Sequence, residues 1–368
     1  LLVFIKTFHN FILLISAKLK MIKKILFVVM AVMFAACSSE NLIDESNSNQ
    51  SLLISTYDGA NSHVLSSDLK NPISEENDLY YQANAKYIAN SPIVRMQSYL
   101  NYIFAFVPDE NKIVVFNKNT RKFVNQFDFS SNGLRPVKLA FANATDAYLI
   151  CENYNKLIVL DIYYFKTARE IDLPNFATDI LALGNQIYIA LPLQDQIAIV
   201  DSRTHAIANS ITVTNRPYIF AFANSAKNLI VLSAGSGKIA GDPIGTISAP
   251  SATNIDISTN SIIATNAISI PGYDITGKYP KELAITNNDW AFVALDSMLI
   301  KMDARDITFA IHAYDAIIIS FSQNYLANDL FAIEKTDFGT FVEKLNPISG
   351  GIEDKSQSQL NITSFVSF

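Results

Sequence analysis

A phrase of about forty residues recurs along this chain, and few folds accept such a repeat. "RPVKLAFANATDAYLICENYNKLIVLDIYYFKTAREIDLP", from Arg135, aligns with "FATDILALGNQIYIALPLQDQIAIVDSRTHAIANSITV", from Phe176, placing Asp161 on Asp201. The same grammar precedes them at "YIFAFVPDENKIVVFNKNTRKFVNQFDF", from Tyr102. It follows them in "RPYIFAFANSAKNLIVLSAG", from Arg216, "YPKELAITNNDWAFVALDSMLIKMDARDITFAI", from Tyr279, and "LFAIEKTDFGTFVEKL", from Leu330. Each unit holds four short apolar runs separated by Asn, Asp and Gly turns. Period-two alternation between such breaks signals antiparallel hairpins and not helices.

One four-stranded sheet cannot bury both of its faces, but a ring of them can. The expected fold is therefore all-β, a β-propeller of four-stranded antiparallel blades, with seven blades preferred over eight or six. The copies fall at 93–128, 135–174, 176–213, 216–249, 252–276, 279–312 and 313–345, the fifth being the poorest. "SLLISTYD" and "NDLYYQANAKYIAN" near the start, or "LNITSFVSF" at the end, are expected to complete one sheet and close the ring. Asn117, Asp161, Asp201 and Asp303 follow the third strand of their copies. A short polar side chain there accepts hydrogen bonds from the next turn, so its recurrence indicates turn chemistry before catalysis.

The unit resembles the repeat of the YVTN family of bacterial propellers. Pro136, Pro217 and Pro280 match its opening proline, and "YLICENYNKLIVLD" and "YIALPLQDQIAIVD" match its middle. The resemblance spans about 250 residues and implies a secreted or surface-layer propeller; it transfers a fold better than a function.

Composition and charge narrow the partners. The chain of 368 residues carries a formal charge of -6, and residues 1–36 hold five lysines and no carboxylate. Without them, 23 basic side chains face 34 acidic ones. An acidic body with no basic stripe repels phosphate backbones, so nucleic acid is excluded as the expected partner.

"MIKKILFVVMAVMFAAC" explains that leader. Lys23 and Lys24 precede an apolar run, Ile25 to Phe34, then small Ala35 and Ala36, then Cys37. The pattern resembles a bacterial lipoprotein signal, which implies that Cys37 becomes the first mature residue and carries the lipid. Phe34 departs from the aliphatic residue usual there. An ordinary signal peptide with an incidental thiol is the alternative.

Residues 1–20 read as an extension upstream of a start at Met21, the alternative being one hydrophobic hairpin or anchor over 1–36. Residues 37–51, "CSSENLIDESNSNQS", read as a polar tether. The single propeller domain is expected over 52–368. Several acyl chains give stable membrane attachment. By the family's sorting tendency, Ser38 points to the outer membrane, on its periplasmic or surface side.

Catalytic constellations are sparse. His63, His205 and His312 are scattered with no metal-ligand spacing, so no metal or cofactor is expected. His312 is the one histidine considered as meeting a carboxylate in the central channel. "LSAGSGKIAGD", from Leu232, lacks the spacing of a phosphate loop and reads as a turn. Cys151, inside "YLICE", reads as core packing.

Glu152 and Asp195 follow the second strands of consecutive blades and are candidates for one binding rim. Tyr163, Tyr164 and Phe165 occupy a turn where other copies carry "SRTH" and "NKNT", a candidate recognition patch. The expected function is a monomeric, lipid-anchored, non-catalytic propeller binding or scaffolding a protein, peptide or glycan of the envelope. The alternative is a lactonase-like or quinone- or metal-dependent enzyme, with inward-facing residues converging in the channel.

Overall fold

The computed structural model describes residues 52–367, apart from breaks at 68, 70–72, 74–76, 224–226, 236–246, 308–309, 325–327 and 359. Within them lie six four-stranded antiparallel sheets and one of three strands. The first strand of each sheet lies against the first strand of the next, in a circuit that closes. The chain is a seven-bladed β-propeller.

Blade 1 comprises Arg95–Tyr99, Tyr102–Val107, Lys112–Asn117 and Phe123–Asp128. Blade 2 comprises Pro136–Phe141, Asp146–Cys151, Lys156–Asp161 and Lys166–Asp172, and blade 3 Asp179–Leu183, Gln186–Leu191, Gln196–Asp201 and Ala206–Thr212. Blade 4 is Pro217–Phe222, Asn228–Ser233, Ser251–Asp256 and Ser261–Ala267. Blade 5 is Pro280–Ile285, Trp290–Leu295, Met298–Asp303 and Ala310–Tyr314, and blade 6 Ile317–Asn324, Asp329–Thr336, Gly339–Leu345 and Ile352–Ser358. In each blade these are the inner, second, third and outer strands.

Blade 7 joins the two ends of the described chain. Its inner strand is Ile362–Ser367, its second Leu52–Tyr57 and its third Ser62–Ser67. The outer place is held by a single bridge from Ser62 to Ala89. "NDLYYQANAKYIAN" supplies that bridge but otherwise departs from a strand. Asp78 accepts the N–H of Tyr81 and caps a short helix, Leu79–Asn84.

The expected count of seven holds, by a different partition. Residues 216–249 and 252–276 are one blade and not two, because Ser251–Asp256 pairs with Asn228–Ser233. A long connection between those strands makes one sheet read as two poor repeats. The copy written as 313–345 extends to Ser358, and the seventh blade comes from the termini.

The middle strands are buried on both faces, which is why they read as nearly continuous apolar runs. In blade 2, Leu149, Cys151, Ile158 and Leu160 pack with Phe104 and Ile113 of blade 1. Their neighbours Tyr148, Ile150, Leu157 and Val159 pack with Ile187 and Ile189 of blade 3. Each such aliphatic side chain contributes about 1.5–3 kcal/mol on burial. The outer strands, such as Lys166–Asp172, are largely exposed and polar.

Candidate functional site

All inner strands run in one direction around the ring, so their first residues surround one mouth of the central channel. Four charged side chains meet there. Lys138 of blade 2 donates to Oδ1 of Asp179 of blade 3 at 2.5 Å, and Oδ2 of Asp179 accepts the backbone N–H of Phe220 of blade 4 at 2.9 Å. Arg95 of blade 1 donates to Glu282 of blade 5 at 3.3 Å. Blades 1 and 5 stand as far apart as a seven-membered ring allows, so this pair spans the channel.

The physical cause is an edge problem. An inner strand has no partner on its channel side, and its free N–H and C=O groups need one. Asp179 supplies one acceptor. Gln97 does the same twice, donating to the carbonyl of Leu139 at 3.0 Å and accepting its N–H at 2.9 Å. Local bulges after Pro136, Pro217 and Pro280 shift the register at this mouth.

Only 17% of the Glu282 side chain is reached by solvent. Burial pushes its carboxyl above the usual range; Arg95 and Lys138 pull it back, and Asp179 adds to the rise. Burial raises the phenol of Tyr218 as well. Two cations and two anions compensate one another here, and the cluster braces the ring across its axis.

The turns between second and third strands surround the same mouth and form an upper rim. Glu152 and Asp195 both lie on it, as expected, and each is engaged by an arginine from a connection between blades: Arg135 leads into the blade of Glu152 and Arg216 out of that of Asp195. Arg135 donates to Glu152 and to Asp109, both at 2.6 Å, linking blades 1 and 2. Arg216 reaches Asp195 at 3.3 Å, and its backbone N–H donates to the same carboxylate at 2.9 Å. The signal for these clamps was the Arg-Pro pair opening two repeats. Phe338 stands on this rim, in the turn of blade 6, and is 81% exposed.

Tyr163, Tyr164 and Phe165 lie at the opposite end of the sheet, in the turn between the third and outer strands, so they share no surface with Glu152 and Asp195. Oδ1 of Asp161 accepts the backbone N–H groups of Tyr163 and Tyr164 at 3.0 and 2.9 Å. The two rings meet edge to face at 4.8 Å and are 69% and 67% exposed. Phe165 turns the other way, onto Tyr102 and Phe127 of blade 1. It has a positive φ, as do Arg121, His205, Asn260 and Ile307 at the same turn position of blades 1, 3, 4 and 5.

The histidines stay apart. His312 meets a carboxylate, Asp315 at 2.9 Å, but on the outer strand of blade 5 and not in the channel. It also bonds the hydroxyl of Tyr273 at 3.0 Å. His63 sits between Asp78 and Asp58 at 3.1 and 3.2 Å, and His205 meets the hydroxyl of Tyr148 at 2.8 Å. Cys151 is fully buried, and burial pushes its thiol up to about 12. Among the described residues, no group of three or more His, Cys, Asp or Glu is placed to hold a metal ion. Cys37 and residues 1–51 lie outside the described residues, as does most of "LSAGSGKIAGD".

No family model and no curated protein matches the chain. Among solved structures it is similar to a chain of Kuenenia stuttgartiensis hydrazine synthase, with a TM-score of 0.61 over 75% of this chain and 90% of that one. The likeness is one of fold. At 12% identity, and with 1378 chains of known structure matching, it assigns no activity.

Proposed function

We propose that this chain is a lipid-anchored, non-catalytic propeller of the YVTN kind, which binds or scaffolds a protein, peptide or glycan at the cell envelope. Cys37 carries the lipid, residues 37–51 form the tether, and the outer membrane is the favoured site. The observation that supports the binding role is Phe338. Its ring is 81% exposed at a turn whose backbone is held by Thr336, which accepts the N–H of Phe338 at 3.1 Å. An aromatic side chain displayed on a rigid turn buries large area with little loss of freedom, which suits recognition. Across the ring from it, the upper rim of blades 1 to 3 carries Asp109, Glu152 and Asp195 with Arg135 and Arg216, charged groups on the same face as the aromatic anchor.

A photo-crosslinking residue at position 338, in the full chain in intact cells, is expected to yield a discrete adduct with an envelope component. No adduct from 338, 109 or 195 would overturn the binding role. Cys37→Ser is expected to move the protein from the membrane to the soluble fraction; retention on the membrane would overturn the anchor.

A further inference from the structure

The two ends of the blades differ in chemistry, and the lower end has the character of a membrane-contact surface. We infer that the lower turns of blades 1 and 2 rest on the bilayer to which the chain is anchored, presenting Tyr163, Tyr164, Leu100 and Phe123 with Lys122 and Lys166 to anionic headgroups. This rests on the lipid-anchor reading above.

Three observations carry it. The first is where the described chain starts. Leu52 opens the second strand of blade 7 and pairs with Ser67 and Ser367, which end the third and inner strands at the lower end. Fourteen residues lie between Cys37 and Leu52. Read as the tether proposed above, a stretch of that length spans about 20 Å. On the tether reading, the chain from the anchor therefore enters the propeller at its lower end, in blade 7, which adjoins blade 1.

The second is contiguity. In blade 1 the N–H of Lys118 donates to the carbonyl of Asn101 at 2.8 Å, joining the turn holding Leu100 to the one holding Lys122. Phe165 packs on Tyr102, bringing the turn of Tyr163 and Tyr164 against blade 1. Leu100 is 54% exposed. The ammonium of Lys166 lies 5.1 Å from the Tyr164 ring centre, and that of Lys86 lies 4.6 Å from that of Phe123. Tyrosine rings beside lysines match the layered polarity of a membrane interface, where the ring enters the headgroup layer and the ammonium meets phosphate.

The third is asymmetry within the lower end. At the positions of Tyr163 and Tyr164 the corresponding turns of blades 3, 4 and 5 carry Arg203 and Thr204, Ser258 and Thr259, and Arg305 and Asp306 in place of exposed tyrosines. Arg203 and Arg305 are drawn onto Asp201 and Asp303 at 2.6 and 2.7 Å. Among the described turns between third and outer strands, only those of blades 1 and 2 together join net positive charge to exposed rings, so the propeller tilts that sector toward the lipid. Because the tether raises the local concentration, the contact need not be strong.

The test uses full-length protein reconstituted in vesicles of phosphatidylethanolamine and phosphatidylglycerol, against the same protein in detergent. A membrane-impermeant amine reagent is read out by mass spectrometry. At least a threefold drop in labelling of Lys122 and Lys166 is expected in vesicles, with Lys156 and Lys335 unchanged. Tyr163→Ser with Tyr164→Thr, the residues that blade 4 carries there as Ser258 and Thr259, should abolish the drop. Equal labelling in vesicles and detergent overturns the inference. So does protection already present in detergent with the protein dimeric, which would make this face a contact between copies.

The Cys37 peptide in the same digest reports the anchor separately: acylated Cys37 with unprotected lysines refutes the face and spares the anchor. In full-length Cys37→Ser, flotation with phosphatidylglycerol vesicles that is lost in 0.5 M salt, roughly the range where surface charge is screened, supports the face without the anchor.

Discussion

Asp161 and Asp201 show how much of a blade is decided by one side chain. Each ends a third strand, and its carboxylate accepts the N–H groups of the following turn. The Arg203 side chain, then the Arg203 backbone N–H, hold the Asp201 carboxyl down at about 2. Backbone N–H groups of Asn61 and Ala60, then His63, do the same for Asp58. Depressed carboxyls stabilise the fold above the unfolded value, near 4, and that contribution is lost as pH falls through about 2. Wild-type protein is therefore expected to lose more Tm between pH 4 and 2 than Asp201→Asn, which keeps an acceptor and has no charge to lose; equal losses would remove Asp201 from the acid response. Cys151 answers a different question. Buried and with a raised thiol, it is expected to resist a thiol reagent in native protein and react fully in guanidinium, whereas prompt native labelling would mean the blade 1–2 core opens.

Elements meet through turns and buried polar links as well as apolar faces. Gly350, in the last turn of blade 6, has φ +79°, and a Cβ there would sit 2.7 Å from the buried ring of Phe292 in blade 5. Gly350→Ala is expected to destabilise by about 1–3 kcal/mol through strain and overpacking. Urea unfolding measures it; a neutral result would mean that turn is free to move off blade 5. The same blades share Glu343, fully buried, which accepts the Tyr314 hydroxyl at 2.7 Å and pairs with Lys355 at 2.7 Å. Burial raises its carboxyl. A raised folded value makes its contribution full below the unfolded value of about 4.3 and smaller as pH rises through the folded one. Glu343→Gln is expected to flatten that decline in unfolding free energy from pH 4.5 to 7, and an unchanged slope would assign it elsewhere.

At the scale of the whole ring, closure and the axial brace act together. Blade 7 takes its inner strand from one end of the described chain and two strands from the other, so the ring cannot close until both are present. Arg95 and Glu282 then tie blades 1 and 5 across the channel. Removing one partner strands a part-buried charge, so Glu282→Ala is expected to cost about 2–4 kcal/mol, with Glu282→Gln milder. A double-mutant cycle with Arg95→Ala should give a coupling of about 1 kcal/mol, measured by denaturant unfolding. Additive effects would show that the pair spans the channel without bracing it.

The repeat, its two-residue alternation and the Asx residue closing most third strands were readable in the chain alone, because neighbouring residues decide hairpins and turns. That local grammar specified the blades, and sheets with two apolar faces can satisfy themselves only in a ring. It failed where sequence distance misleads: blade 4 was divided by its long connection, and the inner strand of blade 7 lies some 300 residues from its partner. Glu152 and Asp195 were placed on one rim correctly, yet their arginine clamps, and the separation of that rim from Tyr163 and Tyr164, follow only from the sheet's antiparallel course. Arg95, Lys138, Asp179 and Glu282 looked like unrelated charges in four repeats. Closing the circle brings them together, and only a closed circle creates the low-polarity axis in which opposite charges must find one another.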